Sequence, residues 1–263
     1  MSAQALPHPT PPGASDPTPP ASPPGDGTRA AEREAGTMTI LEHLEELRQR
    51  IIISGIALLI GMALSAFLLT PHVMAWLVTR APVPIINISP PEIFTAYLKV
   101  ALFTGAAIAM PVILYEAFMF VLPALTPQEK RVAFIAVPGA MLCFIVGVAF
   151  GYFILLPAAL GFLAAFGQNL IQPMWSIGPY LSFVSTLLFW IGVAFEMPLV
   201  MFVLAKLRVV NARQLGRYRK YAFLGAFIVA AVITPTPDPF NQTLVGVPLY
   251  LLYELGVLLA RWA

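Results

Sequence analysis

The sequence predicts an all-α membrane protein: six transmembrane helices, preceded by an amphipathic helix, with the last two spans short. Three observations predict it. Of 263 residues, 59% are hydrophobic and 11% charged, where a soluble domain carries about 25% charged residues. Mean hydropathy is +0.81. The apolar residues are gathered into runs long enough to cross a hydrocarbon core of about 30 Å. A chain this poor in charge cannot cover its own surface with polar groups, which argues against a soluble globular enzyme. A net charge of +2 gives no footing for nucleic-acid binding. The single Cys143 excludes an intrachain disulfide and any multi-cysteine metal site. His8, His43 and His72 lie far apart and outside the apolar runs, so neither a histidine metal site nor a cofactor is expected.

Residues 1–37 hold nine prolines before position 25, mixed with Ser, Thr, Gly and Ala. Such a segment buries too little apolar area to offset its ordering entropy and is expected to be a disordered tail. It has no basic start and no apolar core, so it does not read as a secretory signal. From 38 onward the chain reads as one six-span membrane domain. Met38–Arg50 carries Ile40, Leu44, Leu47 and Ile51 at helical spacing, one apolar stripe on a surface-lying amphipathic helix. Thr39 and Glu42 fit a capping box at its start.

Spans are expected near 51–70, 100–122, 132–156, 181–205, 221–233 and 244–259. The first is an uncharged run of 20 residues, about 30 Å of helix. The second is interrupted only by Glu116. Val132–Phe195 is uncharged throughout and too long for one helix. Pro157, Gly161, Gly167-Gln168-Asn169, Pro173 and Gly178-Pro179 divide it into two spans around a loop. The last two runs, at about 20–24 Å, fall short of the hydrocarbon core and imply local bilayer thinning or burial against neighbours. Loops on one side are 71–99, 157–180 and 234–243. Placing the N-terminus inside leaves Arg80 and Lys99 as the outer basic residues and puts 13 of the 15 Lys and Arg in the cytoplasm, with both termini.

Carboxylates within spans are costly, roughly 2.5–3.5 kcal/mol at a helix centre. Glu116, Glu196 and Glu254 each lie in an apolar run, with no Lys or Arg within four residues in their own span. Any partner must come from another element. Two readings fit: a polar contact or proton-responsive site, or an interhelical hydrogen bond that holds the bundle together. On the basic cytoplasmic face, Glu42, Glu45, Glu46 and Glu129 stand out. A carboxylate pair there can hold guanidinium groups by charge-assisted bonds. The plainer reading is helix-surface charge, since Glu46 and Arg50 are spaced i,i+4. Pro111, Pro138, Pro157, Pro198 and Pro248 fall inside spans, where they kink helices. No nucleophile elbow, zinc-protease motif, P-loop or dinucleotide fingerprint is present, so the chain does not read as an enzyme.

Several ordered segments resemble the TatC family, the multispanning subunit of the twin-arginine protein translocase. They are His43-Leu44-x-Glu46-Leu47-Arg48-x-Arg50, Ser89-Pro90-Pro91-Glu92-x-Phe94 with Lys99, Pro111-Val112-Ile113-Leu114-Tyr115 through Phe120, Pro123-Ala124-Leu125 to Glu129-Lys130-Arg131, Gly192-Val193-Ala194-Phe195-Glu196-Met197-Pro198, and Thr236-Pro237-Asp238-x-x-x-Gln242 with Pro248 and Tyr253-Glu254-Leu255-Gly256. The resemblance covers Met38 to Arg261. It implies that the spans form a concave bundle serving as a receptor and scaffold in the cytoplasmic (inner) membrane. Such a protein binds twin-arginine signal peptides of folded cargo, assembles with small single-span TatA/TatB-like partners and further copies of itself, and uses the proton motive force. It implies that Glu46 and Glu129 hold the twin arginines, with Arg48 and Phe120 beside them. It implies that Glu196, Gln242 and Glu116 are intramembrane polar or partner contacts, and it matches Pro82 and Asp238 to outer-loop positions. Glu116 stands where the family commonly has Gln, Lys130 replaces a frequent Arg, and Thr234-Pro235-Thr236-Pro237 is longer than the usual Thr-Pro-Pro. The alternative from another class is a proton-coupled secondary transporter of a small solute using Glu196 and Glu116, against which no internal repeat relates the two halves.

Overall fold

The computed structural model describes residues 40–121, 127–166, 172–234 and 238–262, with side chains over 43–120, 137–166, 172–234 and 238–262. The Pro-rich segment 1–37, the Thr39/Glu42 capping box, the Gly167-Gln168-Asn169 break and Pro235-Thr236-Pro237 lie outside the described residues, as do the side chains of Glu129, Lys130 and Arg131. Contacts divide the chain into Met1–Glu45 and Glu46–Ala263. The packing below is that of the second unit.

The first helix, α1, runs unbroken over Ile40–Leu68, so the expected amphipathic helix and first span are one element. It ends at a buried hydroxyl pair: Thr70 Oγ1 donates to the Ser65 carbonyl at 3.0 Å and lies 3.2 Å from Ser65 Oγ. α2 (Thr70–Val78) follows, with Pro71 in its first turn, where a missing N–H costs nothing. The segment 71–99, expected to be a loop, is therefore largely helical. Only 79–89 separates α2 from α3 (Pro90–Val121). Within it, β1 (Ile85–Ile86) pairs in parallel with β2 (Trp175–Ser176), Ile85 opposite Trp175.

The third span starts as α4 (Pro127–Phe150), passes through a π turn at Gly151–Leu155, and continues as α5 (Leu156–Ala165). Pro157, expected to end the helix, lies in the first turn of α5. The π turn shifts the hydrogen-bond register just before it, which accommodates a residue lacking an N–H. The fourth span is α6 (Ile177–Ala194) and α7 (Met197–Lys206), hinged at Phe195-Glu196 with Pro198 just beyond. Arg208, at φ 57°, takes the left-handed conformation that often follows a helix end. α8 (Ala212–Arg217) opens with an Asn211/Gln214 capping box. α9 (Arg219–Ile233) and α10 (Pro239–Leu259) complete the chain.

Among the described residues, five helical stretches are long and apolar enough to span: His43–Leu68, Pro90–Phe120, Val137–Ala165, Ile177–Lys206 and Pro239–Leu259. The sixth expected span, α9, has 15 residues, about 22 Å. α10 keeps its apolar run at 244–259 but begins five residues earlier, because Asp238 caps it. Its 21 residues make about 31 Å, so the last span, expected to be short, is long enough to cross and only α9 is short.

α3 and α6 pack along each other, α4 packs on both, and α10 packs on α9 and α7. The main apolar cluster joins α2, the start of α3, the π turn, α5, α6 and the ends of α9 and α10 around Leu77, Val100, Leu155, Leu181, Leu187 and Ile191. A smaller one joins Met110, Leu114, Ala140 and Phe144. α1 turns Ile52, Ile56, Leu59, Ile60 and Phe67 outward, a surface suited to lipid. It approaches α3 at Gly61 and Gly105, where a Cβ on Gly61 would lie 2.5 Å from the Gly105 carbonyl oxygen. Small residues let two backbones meet this closely in a membrane.

Candidate functional site

Glu46, Arg50 and Glu116 form one cluster across α1 and α3. Arg50 Nε donates to Glu46 Oε1 at 3.0 Å, and its Nη2 donates to the same oxygen. Arg50 Nη1 donates to Glu116 Oε2 at 3.0 Å. The spacing of Glu46 and Arg50 brings them together on one helix face. Glu116, buried in the last turns of α3, takes its partner from another helix, as the cost of an unpaired intramembrane carboxylate favours. Among the described residues, two acids flank one guanidinium. The Glu46 and Arg50 side chains are each 19% exposed, so the pair can be reached. Arg48 is exposed and Phe120 half-buried at the end of α3. Glu129 lies in the first turn of α4, with its side chain outside the described set.

The other two intramembrane carboxylates diverge. Glu254 accepts from Arg219 of α9 at 2.8 Å and from the Tyr250 hydroxyl at 2.7 Å. Glu196, at the α6–α7 hinge, is 5% exposed. Among the described residues, no donor reaches its Oε1.

The chain matches the model of the family described as TatC: Sec-independent protein translocase protein (TatC), over residues 42–248. It belongs to the TatC family. A Sec-independent protein translocase protein TatC from Aquifex aeolicus is 42% identical over 235 residues, covering 86% of this chain and 96% of that one. One from Carboxydothermus hydrogenoformans is 38% identical over 230 residues, covering 86% and 93%. A crystal structure of the twin arginine translocase receptor TatC superposes with a TM-score of 0.76 at 42% identity, covering 84% of this chain and 99% of that chain. The chain is thus a multi-span membrane protein of the Sec-independent translocase, and the solute-transporter alternative is set aside.

Within this TatC fold the remaining expected residues are not gathered into one site. Gln242 of α10 donates from Nε2 to the Phe227 carbonyl of α9 at 3.2 Å. Asp238 caps α10: its Oδ1 accepts from the Asn241 backbone N–H at 2.7 Å, and its Oδ2 from Asn241 Nδ2 at 3.0 Å. Pro82 is exposed in the turn before β1.

Two further residues order the segments around β1. Glu92 Oε2 accepts from the Ile88 backbone N–H at 2.9 Å, and its Oε1 accepts from the Ser176 hydroxyl, tying the start of α3 to β2. A Cβ on Gly178 would collide with its side chain. The Ser89-x-x-Glu92 spacing of a capping box was the available signal. Arg80 donates from Nε to the Tyr152 hydroxyl and lies 4.8 Å from the centre of that ring, on which Trp76 stacks at 3.8 Å. This contact joins residues 72 apart, and nothing in the sequence announces it.

Proposed function

We propose that this TatC-family chain is a receptor for twin-arginine signal peptides and a scaffold for their translocation. Glu46 and Glu129 are the arginine-binding carboxylates in this reading, with Arg48 and Phe120 beside them. The observation that carries it is that Glu46 already holds a guanidinium. The edge of Arg50, formed by Nε and Nη2, meets one carboxylate oxygen of Glu46. An arriving peptide arginine presents the same edge and can exchange with Arg50. A lysine ammonium is a point charge that cannot offer the planar fork. Discrimination between arginine and lysine follows from that difference in shape.

Binding takes place on the cytoplasmic face of the inner membrane in this reading, with both termini on that side and no catalytic step. Glu196 is the contact for a small single-span TatA/TatB-like partner. Its Oε1, buried without a donor, is the kind of group that a polar residue of another helix satisfies in lipid. Copies of the chain and its partners assemble together, and the proton motive force drives export.

The test measures binding of a twin-arginine peptide against its twin-lysine counterpart. Glu46→Gln with Glu129→Gln is expected to abolish the preference; its survival would overturn the site assignment. Glu196→Gln is expected to impair partner assembly while leaving peptide binding intact. Loss of peptide binding alone would move Glu196 into the recognition site.

A further inference from the structure

Lys99 of α3 is exposed and donates from Nζ to the Ser182 hydroxyl of α6 at 3.0 Å. Among the described residues no carboxylate pairs with it. Lys99 and Ser182 lie at the end of the fold that carries α2 and the β1–β2 pair. Just deeper, a cleft of about 210 Å³ opens between α2, α3, α4 and α6, lined by Phe103, Phe144, Val148, Leu188 and Phe189. Phe103 follows Lys99 by four residues on α3, so the two share a face.

Two hydroxyls interrupt this apolar wall, those of Thr104 on α3 and Ser185 on α6, and the second is the unpaired one. Ser185 is 7% exposed, and its Oγ has no hydrogen-bond partner among the described residues. It follows Ser182 by three residues, about 4.5 Å further along α6. Buried hydroxyls are normally paired, so one that faces a cleft invites an acceptor there.

We propose that this cleft holds one chain of an anionic glycerophospholipid whose phosphate pairs with Lys99. The order of groups down the wall is cation, hydroxyl, aromatic hydrocarbon. A phospholipid has the complementary order of phosphate, ester carbonyl and acyl chain. The Ser185 hydroxyl donates to the ester carbonyl, and the Ser182 hydroxyl steadies the Lys99 ammonium. The volume suits part of one hydrocarbon chain and is below the roughly 300–1,000 Å³ of a drug-sized ligand site, which disfavours a solute. The site is separate from the Glu46 cluster and does not rest on the proposed peptide binding.

The experiment is native mass spectrometry of the intact chain in detergent, titrated with phosphatidylglycerol or with phosphatidylcholine of the same acyl chains. One phosphatidylglycerol is expected to be retained in preference. Lys99→Gln is expected to weaken it roughly tenfold, and Lys99→Arg to restore it. Ser185→Ala, a change too small to disturb folding, is expected to weaken both lipids several-fold. Glycerol phosphate in excess is expected not to compete. Equal retention of the two lipids by the wild-type chain, no change in Lys99→Gln, or displacement by glycerol phosphate would each overturn the proposal.

Discussion

Arg50 is bound on two sides. Removing it leaves Glu116 buried in α3 without its cation, whereas removing the Glu116 charge leaves Arg50 still paired with Glu46. Arg50→Gln is therefore expected to lower stability by roughly 1–3 kcal/mol, and Glu116→Gln by clearly less. The Arg50→Gln/Glu116→Gln double variant should recover part of the loss. Thermal unfolding of the four proteins in one detergent checks this; a double-variant loss equal to the sum of the two single losses would mean the pair is not coupled. At this scale the sequence was only partly legible. The expense of a carboxylate in lipid marked Glu116, Glu196 and Glu254 directly. Which of them has a partner depends on distant residues meeting. Arg50 reaches Glu116 and Arg219 reaches Glu254, while Glu196 finds no ion pair among the described residues. Glu92 entered only as part of an outer-loop segment, with no role assigned, because its charge lies outside the long apolar runs, yet its neighbours carried a capping signature.

At the scale of elements, two helix features lend themselves to substitution. A methyl on Gly105 would strike the backbone of Met62, and backbone cannot swing aside as a side chain can. Gly105→Ala is expected to destabilise by about 1–3 kcal/mol. Gly55→Ala, on α1 with nothing within 4 Å, is expected to be neutral or to gain up to about 1 kcal/mol from helix propensity. Equal melting temperatures for the two would dissolve the α1–α3 crossing. Asp238→Ala removes the cap of α10, with an expected loss of about 0.5–2 kcal/mol, while Asp238→Asn keeps most of it. Hydrogen exchange of the first turn of α10 reads this locally. Existence and order of the long apolar helices were legible because apolar runs and helix length are both set by the bilayer, whereas the short helices α2 and α8 were not. Nor were the ends of the long ones. Asp238 and Pro239 start α10 within a polar stretch, and the π turn before Pro157 carries a helix through a residue that reads as a stop.

For the whole molecule, the distribution of basic residues makes a prediction about sidedness. In a Cys143→Ala background, a cysteine at position 88, between β1 and α3, is expected to react with a membrane-impermeant thiol reagent added to intact cells. A cysteine at position 213, in α8, should react only after permeabilisation. Reaction of both from outside would invert the topology. The fold class followed from hydropathy alone because lipid is the solvent for most of the surface. The contacts between the segments beside β1 did not follow. They are built from a two-residue strand pair and single hydrogen bonds, which have no periodicity to detect.

The sparse burial of α1 bears on how the protein is made. Only 11% of its most apolar stretch is covered by the rest of the chain. It has the length and hydropathy to rest stably in lipid before any later segment has left the ribosome. α9 is in the opposite position: at 15 residues it is too short to hold a transmembrane position securely by itself, and its principal neighbour is α10, made after it. Synthesis therefore runs from a helix that can wait alone to one that cannot. The last two helices are expected to enter the bilayer together as a hairpin, so truncation after α9 should leave that helix unintegrated while α1 to α7 remain anchored.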